Sequence, residues 1–275
     1  MQPRTRYGQA MLSEFKDFNP QYYLVFGVIL GLSLAAPGFL YALRRKALAS
    51  GGGSRKLISS EIFSLFASVY AFFLGFAIVT LWGAYGSARS LVSAEAGAVM
   101  VAYRLSVPLP GSEGFRQALI AYSKVVVEDE WPAMDRDQSM SVRASDRLGD
   151  VWEAFYAMKP SGADNQSYYA GLGQAVADLN RQRVARSQTL SGNLYPPVWI
   201  ILGFGLLGVF VGLLLTNPEQ TRSQVALEII VAFLMFSCVY FIVDIATPFS
   251  GVLNVSSAPF TEVHAGMLTL QGAPR

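Results

Sequence analysis

The chain of 275 residues has one histidine, His264, and one cysteine, Cys238. A single histidine rules out a histidine-based metal cluster and leaves common hydrolase chemistry little to work with. A single cysteine rules out an intramolecular disulfide, and Cys238 reads as a small hydrophobe within an apolar run. Charge is scarce too: 15% of residues carry one, against about 25% in an average soluble domain. The net charge of +2 comes without any basic cluster of nucleic-acid type, so no nucleic-acid partner is expected. GGGS at 51–54 lacks the strand, lysine and helix context of a phosphate loop. No cofactor is expected, and the chain is not expected to be an enzyme.

What is present is long apolar runs. Positions 62–86, 187–218 and 229–243 carry no charge, and a further apolar stretch covers 22–43. A surface helix of a soluble domain turns one face to water, which breaks such runs. The pattern predicts four membrane helices: Tyr22–Leu43, Ile62–Tyr85, Pro196–Leu215 and Val225–Ile245. About twenty helical residues cross a hydrocarbon core of roughly 30 Å. Pro37-Gly38 is expected to kink the first helix. Pro196-Pro197 suits a helix start, where a missing N–H costs nothing. The first segment is followed by Arg44-Arg45-Lys46 rather than by small residues. It therefore reads as a retained helix whose basic end meets phosphate headgroups.

Between the second and third helices lies a region with 11 Lys/Arg and 12 Asp/Glu, which places it in water. Its first part is expected to prolong the second membrane helix. Further helices are predicted over 113–130, ending before Pro132, over 141–158, and over 165–190. In the last, Leu172, Val176, Leu179 and Val184 recur at helical spacing. No segment alternates with period two for long. The fold class is thus an all-α membrane protein: four transmembrane helices with a helical soluble region between the second and third. Its parts are an N-terminal helix pair (1–86), the middle region (87–192), a C-terminal pair (193–253) and a tail (254–275). The last fifteen residues are expected to fray. Four crossings put both ends on the side of the middle region, and basic residues nearly balance across the membrane.

Several residues invite a chemical reading. Asp244, near the end of an apolar helix, is either a functional intramembrane acid or a cap for the following loop. Arg89, Glu95 and Arg104 are not i,i+4 partners and are candidates for a charged vestibule or for packing. Glu128, Asp129 and Glu130 could hold a divalent cation. They lack the spacing of a hand-type calcium loop, and a solvated helix end is the plainer alternative. Arg181, Arg183 and Arg186 are expected to meet headgroups or acidic neighbours. Gly75, Gly203, Gly208 and Gly212 suit close helix contact, and a homo-oligomer is expected.

Five pieces, in order, resemble the bestrophin-like family of bacterial and plant membrane proteins. They are VTLWGAYGSAR closing the second helix, SAEAGAVMVAYRL, AYSKVVVEDEWP, RQRVARS, and Asp244 with PFSG. The resemblance covers almost the whole chain. It marks Trp82, Arg89, Glu95, Tyr103, Arg104, Glu130, Trp131, Pro132, the pair Arg181 and Arg183, Asp244, Pro248, Phe249 and Gly251 as signature positions. Bestrophins are pentameric anion channels with four membrane helices, so the resemblance implies a channel-like protein. It also implies a multi-pass location in a cell membrane, the bacterial inner membrane. The aromatic second helix (Phe66, Tyr70, Phe73, Phe76) is then a candidate pore wall, with Arg89 and Glu95 at the vestibule. Lipid contact and helix packing explain the same aromatics. The expected function is a bestrophin-like integral membrane protein conducting inorganic ions. The alternative is a non-conducting scaffold or sensor that binds a partner through the middle region.

Overall fold

The structure, a computed structural model, describes residues 20–49, 59–160, 162–190, 196–216 and 222–272. The described elements are helical. In chain order they are α1 (Pro20–Ala49), α2 (Ser60–Ser106), α3 (Glu113–Val125), a π-helical turn (Val126–Glu130), α4 (Trp131–Asp137), α5 (Val142–Ala157), α6 (Ala163–Gln188), α7 (Pro196–Thr216), α8 (Arg222–Ile245) and α9 (Ala258–Gly272). Four helices are long and apolar enough to cross a membrane: α1, α2, α7 and α8. The chain divides into two compact units. One takes Met1–Ile78 and Tyr195–Val243, the other Val79–Leu194 and Asp244–Arg275.

In the first unit, α1 runs through Pro37 without a break. Phe26 of α1 meets Phe233 of α8 edge-on at 5.8 Å, and Phe210 of α7 stacks on Phe236 of α8 at 5.5 Å. The closest packing joins α2 and α7. Gly205, Gly208 and Gly212 of α7 face the rings of Tyr70, Phe66 and Phe63 in turn, and a Cβ at any of the three would overlap the ring. The numbers rise along one helix and fall along the other, so the two run antiparallel. The Tyr70 hydroxyl donates to the Leu202 carbonyl at 2.9 Å. With no hydrophobic drive between helices in lipid, such close approach at small residues is a main source of association. Gly208 and Gly212 take the expected role. Gly75 and Gly203 do not, having open space around them, and Gly205 takes it instead.

In the second unit each helix presents one buried stripe. The stripes comprise Ala88, Val92, Ala96, Val99 and Tyr103 of α2, and Phe115, Leu119, Tyr122 and Val126 around α3. Ala144, Leu148, Val151 and Phe155 of α5 and Leu172, Val176 and Leu179 of α6 complete them. Ser141 caps α5, its hydroxyl accepting from the Ala144 N–H at 3.4 Å. Three expectations are corrected. The helix from Glu113 does not end before Pro132: a π turn leads into α4, and Pro132 occupies its first turn. Val184 is exposed, because the buried stripe of α6 continues through residues 183 and 186. The tail is helical as far as it is described, to Gly272, since α9 anchors itself through fully buried Phe260 and Met267; residues 273–275 lie outside the described residues. The second unit also takes in Asp244–Arg275, where the sequence reading set 244–253 with the C-terminal membrane pair and 254–275 as a tail.

Gly205→Ala should lower the melting temperature of the detergent-solubilised protein by several degrees, as a ring must move to admit the methyl. Gly203→Ala, with nothing nearby, should leave it unchanged; equal melting of the two would refute the ring-on-glycine packing.

Candidate functional site

The stripes of the second unit carry charge where apolar residues would be expected. On α6 the buried positions run Leu172, Val176, Leu179, Arg183, Arg186. Around α3 they run Leu119, Tyr122, Val126, Glu130. On α2, Glu95 adjoins Ala96 on the buried face. Helical periodicity thus delivers two carboxylates and two guanidinium groups to one core. Buried charges persist only when paired and hydrogen-bonded, and these are. Arg186 Nε donates to Glu95 Oε2 at 2.6 Å and Nη2 to Glu95 Oε1 at 3.0 Å. Nη2 also donates to Glu130 Oε1. Arg183 Nη1 donates to both Glu130 oxygens, at 2.7 and 2.6 Å, and its Nη2 reaches Ser145 Oγ at 2.9 Å. The Tyr122 hydroxyl donates to Glu95 Oε1 at 2.7 Å. The Arg186 guanidinium lies over the Trp131 ring at 5.3 Å and the Phe260 ring at 6.0 Å.

Burial alone would lower the arginine pKa values, but the adjoining acids outweigh it. For Arg186 the countering charge comes from Glu95 first, then Glu130, and the net shift is upward. Arg183 shifts upward as well, through Tyr122 and Glu130. Burial, and then the Glu95 charge, push the Tyr122 phenol well above its ordinary value. The network is a neutral, satisfied clamp joining α2, α3, the π turn and α6. It offers no nucleophile with a base beside it.

Asp244 ends α8 as a cap. Its Oδ1 accepts from the Val252 N–H at 2.9 Å and its Oδ2 from the Leu253 N–H at 2.8 Å. Gly251 adopts φ +83, and a Cβ there would press on the Asp244 carboxylate, so both the backbone and the space call for glycine. The loop is pinned further by the Val255 N–H donating to the Pro248 carbonyl at 2.7 Å, and by the Trp131 indole donating to the Val255 carbonyl at 3.0 Å. Phe249 is buried edge-on to Trp131 at 6.1 Å.

The structure brings Glu95, Glu130, Trp131, Pro248, Phe249, Gly251 and Asp244 into one folded unit and corrects several roles. Glu95 is not a vestibule charge, because it is fully buried against Arg186. Glu128, Asp129 and Glu130 do not converge on a cation. Glu128 points to Lys124 at 3.9 Å, Asp129 to Arg143 at 3.1 Å, and Glu130 to the two buried arginines. Among the described residues no group of three His, Cys, Asp or Glu could hold a metal ion. The buried arginine pair is Arg183 and Arg186, while Arg181 is exposed and bound to Asp178 at 2.9 Å. Tyr103 is core; Trp82, Arg89 and Arg104 are exposed, with Trp82 stacked beside Tyr85 at 5.9 Å. Of the aromatic candidates on α2, Tyr70 and Phe66 are ring partners of α7 glycines and Phe73 is half-buried. Phe76 is exposed with no ring-on-glycine contact, and Phe66 is exposed beside its own. The exposed stripe of the membrane portion is instead Ile62, Leu65, Val69, Phe72 and Phe76, at spacings of three and four. Sequence reading also passed over Glu228, buried within α8.

Four bilayer-length helices and a helical unit define a multi-pass helical membrane protein. The chain matches the family model described as Bestrophin-like domain over residues 29–260, and it belongs to that family. Solved structures share the fold. A variant of a bacterial bestrophin homologue from Klebsiella pneumoniae matches with TM-score 0.70 at 12% identity, over 90% of this chain and 99% of that one. A second variant of it matches with TM-score 0.67 at 14% identity, over 88% and 99%. A structure described as a membrane protein matches with TM-score 0.66 at 13% identity, over 91% and 99%. No curated protein sequence matches the chain.

Arg186→Met should destabilise the second unit by about 3–5 kcal/mol, the range for removing one partner of a buried pair. Arg183→Met should cost less, because Glu130 keeps Arg186. Thermal melts followed by tryptophan fluorescence test the order, and a milder Arg186 variant would contradict the clamp. Tyr122→Phe removes a hydrogen bond to a carboxylate, worth about 1.5–3 kcal/mol. The folded-state phenol pKa lies above the unfolded value, so this stability is fully present below about pH 10 and is lost as pH rises through the folded-state pKa. The gap in melting temperature between wild type and Tyr122→Phe should therefore narrow in strong alkali. A gap that does not change with pH would count against the assignment.

Proposed function

We propose that the protein is an ion channel, a ring of identical chains whose pore is lined by the membrane portion of α2. The observation that carries this is the exposed stripe Ile62, Leu65, Val69, Phe72 and Phe76. It repeats about every 3.5 residues, as a straight seam along a helix does. The flanking face of the same helix is already used, since Tyr70 and Phe66 are seated on α7. The stripe is therefore the face left for whatever fills the far side. One helix cannot enclose a pore, so a closed ring of copies is required. Phe72 and Phe76 would then stack apolar layers that gate by dewetting, and exposed Arg89 would act beyond the end of the constriction. Family membership supports the channel class. The alternative, a scaffold or sensor that does not conduct, would use the same stripe for packing alone.

Planar-bilayer recording on purified, reconstituted protein tests the proposal. Single-channel steps are expected. Phe76→Ala should raise the unitary conductance or the open fraction several-fold, and Arg89→Glu should shift ion preference. Silence across both anion and cation gradients, with and without calcium, would favour the scaffold, as would a monomer in native mass spectrometry.

A further inference from the structure

The first unit contains a cleft unrelated to the α2 stripe. Its walls are the faces of α1 and α7, with Phe236 of α8 between them, and its volume is about 650 Å³. This lies within the roughly 300–1,000 Å³ of sites that hold a small ligand. The cleft follows one stripe of α1, Ala36, Phe39, Leu40 and Leu43 among it, and a matching stripe of α7 that includes Leu207 and Phe210. All of its lining side chains are apolar. No hydrogen-bonding group orients a polar ligand inside it. Its lining suits a hydrocarbon chain.

Length and position narrow the choice. From Leu32 to Leu43 the α1 wall extends about 16 Å at the helical rise. A hydrocarbon core of roughly 30 Å has leaflets of about half that thickness. The cleft therefore matches one leaflet, the depth reached by one acyl chain. It ends where the basic residues begin: Leu43 is followed by Arg44, Arg45 and Lys46, with Arg45 and Lys46 exposed. Cations just past the apolar end of a membrane helix sit at headgroup level, where they attract acidic lipids.

We propose that this cleft is a binding site for an acidic phospholipid, with one acyl chain between α1 and α7 and the phosphate at Arg45 and Lys46. Two independent features meet here, an apolar slot one leaflet deep and positive charge at its mouth. A hydrophobic cofactor would not require the charge, and a headgroup site alone would not require the slot. The site stands apart from the proposed conduction and does not depend on it.

Native mass spectrometry of the full chain, with phosphatidylglycerol or phosphatidylcholine of matched acyl chains added in mild detergent, tests it. Wild type should retain phosphatidylglycerol on the order of ten-fold better than phosphatidylcholine. The double variant Arg45→Gln, Lys46→Gln changes only exposed residues. It should keep a bound lipid but lose the preference between headgroups. Ala36→Phe should fill the slot and lower retention of both lipids, with the oligomer unchanged. Equal retention of the two lipids by wild type would overturn the proposal, as would undiminished retention by Ala36→Phe. So would an Ala36→Phe variant that dissociates the oligomer while lipid retention persists, since the cleft would then be covered by a second copy. If Ala36→Phe fails to fold, the charge variant decides: an unaltered preference refutes the phosphate site.

Discussion

Two carboxylates without exposure to water, Glu95 and Glu130, can remain charged only if cations are brought to them. That requirement organises the helical unit. Glu95 belongs to α2, Glu130 to the π turn, and both cations to α6, one helical turn apart. None of the three segments can slide or rotate without leaving a charge unpaired, a loss of several kcal/mol. The π turn follows the same logic. It inserts one residue per turn beyond the α-helical spacing, immediately before Trp131, and sets Glu130 and Trp131 on the faces they need. Glu130 meets the arginines, while Trp131 covers Arg186, bonds Val255 and packs on Phe249. The loop after Asp244 is thus fastened to the clamp through the indole, and the Tyr85 hydroxyl and Gln138 amide hold it as well, donating to the Asn254 carbonyl and Ser250 Oγ. A core of similar volume made only of hydrophobic residues could match its stability. What charges add is a specified register, because each guanidinium meets its carboxylate partners in one geometry.

The membrane unit reaches definition by opposite means. Its α2–α7 contact uses absence of side chains, three glycines receiving three rings in antiparallel order. This fixes the rotation of α2 about its own axis. Once Tyr70 is buried against Gly205, residues 65, 69, 72 and 76 are carried to the other side. Seating the rings and exposing the stripe are one geometric event.

Much of this was legible in the sequence. Charge-free runs gave the four membrane helices, since nothing but bilayer or core tolerates them, and breakers located the soluble helices to within a few residues. The cap role of Asp244 was one of two readings that its nearness to PFSG allowed. The clamp was less visible, though a signal existed. Leu172, Val176 and Leu179 point along α6 to positions 183 and 186, and arginines there must be buried and paired. Following Val184 instead, as the next apolar residue, hid this. Glycine partners were only half legible, because spacing names candidates on a helix but not which of its faces meets a neighbour. The same limit holds for the aromatics of α2: Phe66, Tyr70, Phe73 and Phe76 are alike in sequence and separate only when the partner of α2 is known. The π turn left no trace, since Pro132 reads as a stop unless an extra residue resets the register before it.

The two modes of fixing α2 bear on how the proposed channel would work. A constriction made of apolar side chains discriminates by radius and wetting, so small rotations of the lining helix change it steeply. A wall built on loosely packed aliphatic contacts would allow such rotation freely. Here, turning α2 within the membrane unit would unseat rings from glycines that have no room to follow, and turning it within the helical unit would strip Glu95 from Arg186. Each penalty is set by groups away from the exposed stripe. Residues on the stripe are therefore free to vary in size and polarity without cost to the fold. On the proposed reading, selectivity and gating could be tuned on one face of α2 while stability is held on the other, and substitutions on the two faces should act on conduction and on folding almost independently.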